Sequence, residues 1–103
     1  MAGLALVAID RPEAKPLAIS LRLRSQLIYF AAPPGAAGAP APAEGELWFD
    51  PVEVGRWLDE GVIELISPLD TAKVTEVELS DEQEAMLRWL ADGGIRHVRL
   101  TGE

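Results

Sequence analysis

Short apolar runs, set apart by proline, glycine and acidic residues, organise this chain. Gly3 to Ile9 is a branched, apolar run closed by Asp10 and Pro12, which predicts a buried strand. In Leu17 to Arg24, Leu17, Ile19, Leu21 and Leu23 alternate with Ala18, Ser20, Arg22 and Arg24. A period of two puts the leucines on one face of a half-buried strand and the guanidiniums on the other. Leu27 to Phe30 extends that strand if Ser25 and Gln26 form a bulge or turn that restores the phase.

The period changes after residue 46. Leu47-Trp48-Phe49 is a short strand, and Asp50, Pro51 and Glu53 then supply a capping side chain, a proline at the first helical position and an acid in the first turn. Val54, Trp57 and Leu58 share one face of the resulting helix, and Gly61 ends it as a left-handed terminator. Val62 to Ile66, closed by Ser67-Pro68, and Lys73 to Leu79 are strands. Ser80 and Gln83 then repeat the capping logic, Met86, Leu87, Trp89 and Leu90 form an apolar stripe, and Gly93-Gly94 stops the second helix before a last strand, Ile95 to Leu100.

Arg56-Trp57-Leu58-Asp59-Glu60-Gly61 matches Arg88-Trp89-Leu90-Ala91-Asp92-Gly93 at a separation of 32 residues. A tryptophan and a leucine in the last turn before a glycine stop satisfy the same packing need twice, so common descent of the halves is not required. From Leu47 onward the order is β-α-β-β-α-β, which resembles the ferredoxin-like split fold. The expectation is a single α+β domain over residues 1–103, with an antiparallel sheet of five or six strands and two short helices on one face. Two or three N-terminal strands are additional. Ala31 to Gly45, nearly all alanine, proline and glycine, has no face to bury and reads as a flexible loop within that domain. As a ligand for an aromatic groove it lacks the PxxP spacing with a flanking base.

Composition narrows the functional classes. With 49% hydrophobic and 25% charged residues the chain is globular in character, and with no cysteine it has no disulfide, thiolate metal site or thiol nucleophile. A reducing, cytoplasmic home is the simplest expectation. The apolar start has no basic region before it and is cut by Asp10-Arg11-Pro12, so neither a signal peptide nor a membrane span is expected there. Seven arginines to two lysines, with abundant alanine, glycine and proline, suit a GC-rich bacterial coding sequence.

The net charge of −8 is lopsided: residues 1–43 carry four basic and two acidic side chains, residues 44–103 five basic and fifteen acidic. Such a surface repels phosphate backbones and anionic lipid, so neither nucleic acid nor membrane is an expected partner, whereas a basic protein is attracted.

Catalytic signatures are sparse. His97 is the single histidine, with no serine elbow and no second imidazole for a metal pair, and Gly35-Ala-Ala-Gly38 lacks the lysine and helix of a phosphate loop. Glu76 and Glu78 share one strand face without a calcium-loop pattern, the reading of a solvated face. No catalytic residue, cofactor or metal is therefore expected. Trp57 and Trp89 belong to helical core stripes, but Trp48 points away from Leu47 and Phe49, either to pack under the N-terminal strands or to anchor a partner or a homodimer. Trp48 with the carboxylates Glu44, Glu46, Glu53, Asp59 and Glu60 forms the candidate interaction surface. The expected function is a non-catalytic interaction or regulatory module, inhibitor-like or part of a larger assembly. The alternative is a small-molecule sensor or minor enzyme with its site between sheet and helices.

Overall fold

A computed structural model describes residues 3–32, 43–66, 69 and 72–102. Its strands are β1 (Ala5–Ala8), β2 (Leu17–Ala18), β3 (Glu46–Trp48), β4 (Val62–Ile66), β5 (Val74–Glu78) and β6 (His97–Thr101). The helices are α1 (Leu21–Gln26), which runs into a 3-10 turn at Leu27–Tyr29, α2 (Pro51–Glu60) and α3 (Asp81–Gly93). The fold is α+β, with antiparallel sheets of four and two strands in the orders β2-β1-β6-β3 and β4-β5.

Where local chemistry is decisive, prediction and structure agree. Asp50 accepts from the Val52 N–H at 3.0 Å, Pro51 opens α2, and Gly61 closes it at φ 73°. In α3 the Ser80 hydroxyl accepts from the Gln83 N–H while the Gln83 side chain accepts from the Ser80 N–H, a complete capping box.

The segment from Leu17 to Phe30 departs from the expected strand. Only Leu17 and Ala18 are extended, and Ser20 caps α1 by accepting from the Leu23 N–H at 3.1 Å. Leu23, Leu27 and Phe30, spaced i, i+4 and i+7, enter the core, whereas Leu21 is 71% exposed. The alternation is real but accidental: a helical turn buries three large side chains against α2 and α3, while an extended chain would have buried Leu21 and turned Phe30 by a bulge. Tertiary bonds hold the helix in place, since Ser20 donates its N–H and hydroxyl to Glu82 at 2.8 and 2.5 Å and Gln83 donates to Gln26 at 2.9 Å.

One core serves the molecule. Leu6, Ala8 and Val98 from the inner face of the large sheet meet Leu23, Leu27, Phe30, Val54, Trp57, Met86, Leu87 and Leu90 from the helices, with Phe30 and Trp57 edge to face at 5.3 Å. Trp89 is half-buried and donates its indole N–H to the Lys15 carbonyl at 3.0 Å.

The expected chain order β-α-β-β-α-β is present from β3 onward, but its strands are divided between two sheets. β3 pairs with β6, and β4 pairs only with β5. The edge of β3 that a ferredoxin-like sheet would use is met at its end by Ala32, whose N–H donates to the Trp48 carbonyl at 2.7 Å. Most of the expected loop, residues 33–42, and the Ser67-Pro68 stop lie outside the described residues. Among the described residues, no helix is long and apolar enough to cross a membrane.

Candidate functional site

The face of the four-stranded sheet turned away from the helices carries the densest polar constellation. Register places Glu46 opposite Arg99, Trp48 opposite His97, and Val7 opposite Arg99 on the other side of β6. Side chains of these residues share that outer face because successive strand residues alternate, and the same alternation sends Leu47 and Phe49 inward. Trp48 and His97 stack with centroids 4.3 Å apart and planes at 12°. His97 Nε2 lies 2.7 Å from Glu46 Oε1, and Arg99 reaches the other carboxylate oxygen at 3.5 Å.

Asp10, just beyond β1, organises this end of β6 by accepting from the Arg96 N–H at 3.0 Å and the His97 N–H at 3.3 Å. The His97 and Glu46 side chains are each only 17% exposed. Their hydrogen bond holds the Glu46 carboxyl below its ordinary range. Partial desolvation opposes that shift, and the charges of His97 and Arg99 add to it. A carboxylate and an imidazole so arranged could orient a nucleophile, but they are engaged with each other, and the carboxylate also with Arg99. The result is a charge-compensated plate with an aromatic surface.

The candidate residues divide between places. Glu46 and Trp48 belong to the plate. Glu53 and Glu60 converge instead on Arg56, at 2.6 and 3.4 Å, with Glu64 of β4 joining at 3.3 Å. Glu53 is the main cause of raising the Arg56 pKa beyond its ordinary value; desolvation opposes this, and the charges of Glu53 and Glu60 and the bond to Glu64 reinforce it. Glu44 and Asp59 are exposed and join neither group. Sequence reasoning missed Asp10, His97 and Arg99 as companions of Trp48, because the pairing of β3 with β6 links positions about fifty residues apart. It missed Arg56 as a hub, although Glu53 and Glu60 flank it at i−3 and i+4, a spacing legible in the sequence.

A concavity of ≈ 350 Å³ lies between the 3-10 turn and α2, lined by Tyr29, Phe30, Ala31, Asp50, Glu53 and Trp57. Among the described residues, no cluster of three or more histidine, cysteine or acidic side chains is arranged to hold a metal. Comparison with family models, with curated proteins and with solved structures finds no match.

Proposed function

We propose that this chain is a non-catalytic protein-interaction module that recruits a basic protein partner, in a cytoplasmic setting and without engaging nucleic acid or membrane. The observation that carries the reading is the distribution of uncompensated acid. Arg56, Arg88 and the His97–Arg99 pair account for Glu53, Glu60, Glu64, Glu84 and Glu46. Glu44, Asp59, Glu76, Glu78, Asp81 and Asp92 are exposed, with no ion pair among the described residues. Surplus charge of one sign steers a partner of the opposite sign, and its effect is screened by salt.

Affinity capture from lysate at low and high ionic strength tests this. Basic proteins are retained at roughly 0.05 M salt and released near 0.5 M, where the Debye length has shrunk about threefold. Retention that ignores salt, or none at low salt, removes the reading.

A second reading, a small-molecule sensor, draws support from the concavity at Tyr29, Trp57, Asp50 and Glu53, whose aromatic and carboxylate lining suits a small organic cation. A thermal-shift screen of such cations separates the two readings. A ligand at 100 times its Kd stabilises by about 2.7 kcal/mol.

A further inference from the structure

The β4–β5 hairpin holds features that the rest of the fold does not use. All five residues of β5 are exposed, Val74 at 50% and Val77 at 40%. Just beyond the ladder, the Leu79 N–H donates to the Gly61 carbonyl at 3.0 Å, which marks Gly61 and Leu79 as a hydrogen-bonded pair. Antiparallel pairs alternate between bonded and non-bonded, so Ile63–Val77 and Leu65–Thr75 are bonded while Val62–Glu78, Glu64–Glu76 and Ile66–Val74 are not. The N–H and C=O groups of Val74, Glu76 and Glu78 therefore point away from β4. Among the described residues, no backbone hydrogen bond meets them.

Two further observations say what such an edge would accept. Glu64 and Glu76 stand directly opposite each other in a non-bonded pair, the closer of the two antiparallel spacings, where like charges destabilise. Arg56 relieves Glu64 at 3.3 Å, but Glu76 and Glu78 have no cation among the described residues. A second copy of this chain pairing edge to edge would bring Glu76 and Glu78 against their own equivalents, which repel. A strand carrying positive charge at alternate positions would instead satisfy the outward backbone groups and place its cations beside these carboxylates, on the same face. Two strands alone are marginal in water, and a third completes the sheet.

We propose that the free edge of β5 takes up an extended basic peptide segment as an added strand, with lysine or arginine at alternate positions facing Glu76 and Glu78. This rests on the interaction-module reading and names its site and its class of partner. Recognition is by main-chain hydrogen bonds for affinity and by charge at every second residue for specificity.

The test uses the full chain, isotope-labelled, titrated with a nine-residue peptide alternating lysine with threonine. A control peptide of the same composition has its lysines grouped at one end. The alternating peptide should slow amide exchange at Glu76 and Glu78 and bind more tightly than the control. Glu76→Pro removes an outward N–H together with the Glu76 carboxylate but no β4–β5 ladder bond, so it should weaken binding about tenfold more than Glu76→Gln, which removes the charge alone. The Glu76→Gln/Glu78→Gln double variant should weaken binding and flatten its salt dependence. If E76P disturbs the hairpin, amide protection in the unaltered chain decides.

Equal binding of both peptides, or binding that survives E76P while failing in the double variant, overturns the added strand and leaves a purely electrostatic module. Protection of these amides that grows with protein concentration alone overturns it in favour of self-association. No binding of either peptide, while the chain still retains basic proteins from lysate at low salt, overturns this inference and spares the reading it rests on. Loss of that retention as well overturns both.

Discussion

β1 and β5 are both short antiparallel strands, but they meet opposite fates. β1 lies between two partners, and its inward residues Leu6 and Ala8 are 0% and 3% exposed beneath the helices. β5 has one partner, and its valines stand in solvent. Both runs hold branched residues suited to a pleated surface, so propensity does not separate them. What differs is the cover. β1 lies over a core to which all three helices contribute, whereas among the described side chains of the hairpin Ile63 is the one that belongs to that core. Burial is concentrated beneath the large sheet, and the described residues of β5 stay exposed.

The sharpest test of this contrast is paired truncation. Leu6→Ala should cost about 2–5 kcal/mol in denaturant unfolding, the range for a leucine lost from a closed core. Val77→Ala should stay within about 0.5 kcal/mol, as a surface substitution does. Comparable losses would mean that β5 is covered in solution.

Smaller effects sharpen the picture. Ser80→Ala, at the junction of β5 and α3, breaks the capping box and should lower stability by about 1 kcal/mol, read as a shift in denaturant midpoint. Glu76→Lys turns a repulsive cross-strand pair into an attractive one and should stabilise the hairpin by roughly 0.2–1 kcal/mol, visible as slower amide exchange at Ile63 and Val77. A destabilised hairpin would refute the cross-strand repulsion.

The pH dependence belongs to the large sheet. Glu46 is more acidic in the folded chain than in the unfolded one, so its contribution is complete above the ordinary glutamate pKa of about 4.3 and is lost as pH falls through the lower folded value. Glu46→Gln should therefore lower stability at neutral pH and converge with the unaltered chain in acid, which flattens the acid limb of the stability curve. An unchanged acid limb would show that the bond to His97 does not persist in solution.

Legibility followed the range of the forces involved. α2 and α3 were readable because their caps and stops act over three or four residues: Asp50, Ser80, Gln83 and the glycines need no tertiary partner. α1 was not. Its leucines and arginines alternate like a strand, and its helical signals, Ser20 as cap and the spacing of Leu23, Leu27 and Phe30, compete with that pattern in a six-residue helix too short to stand alone. The large, uniform propensity of short apolar runs also concealed which strands would share a sheet.

At the candidate surface, alternation correctly sent Trp48 away from Leu47 and Phe49, because strand geometry is local. That His97 would stack on it, and that Glu46 would hydrogen-bond His97 and pair with Arg99, required β3 to lie beside β6.

By itself the sequence determined the α+β class, the boundaries of two helices, the absence of thiol chemistry and an acidic second half, all properties of composition or of neighbours within one helical turn. Only the tertiary structure decided that residues 21–26 coil, that the strands part into two sheets, and that Glu64 and Glu46 find their cations on other elements. Those outcomes depend on contacts between distant segments, whose free energy is set by what a face can bury rather than by what a residue prefers.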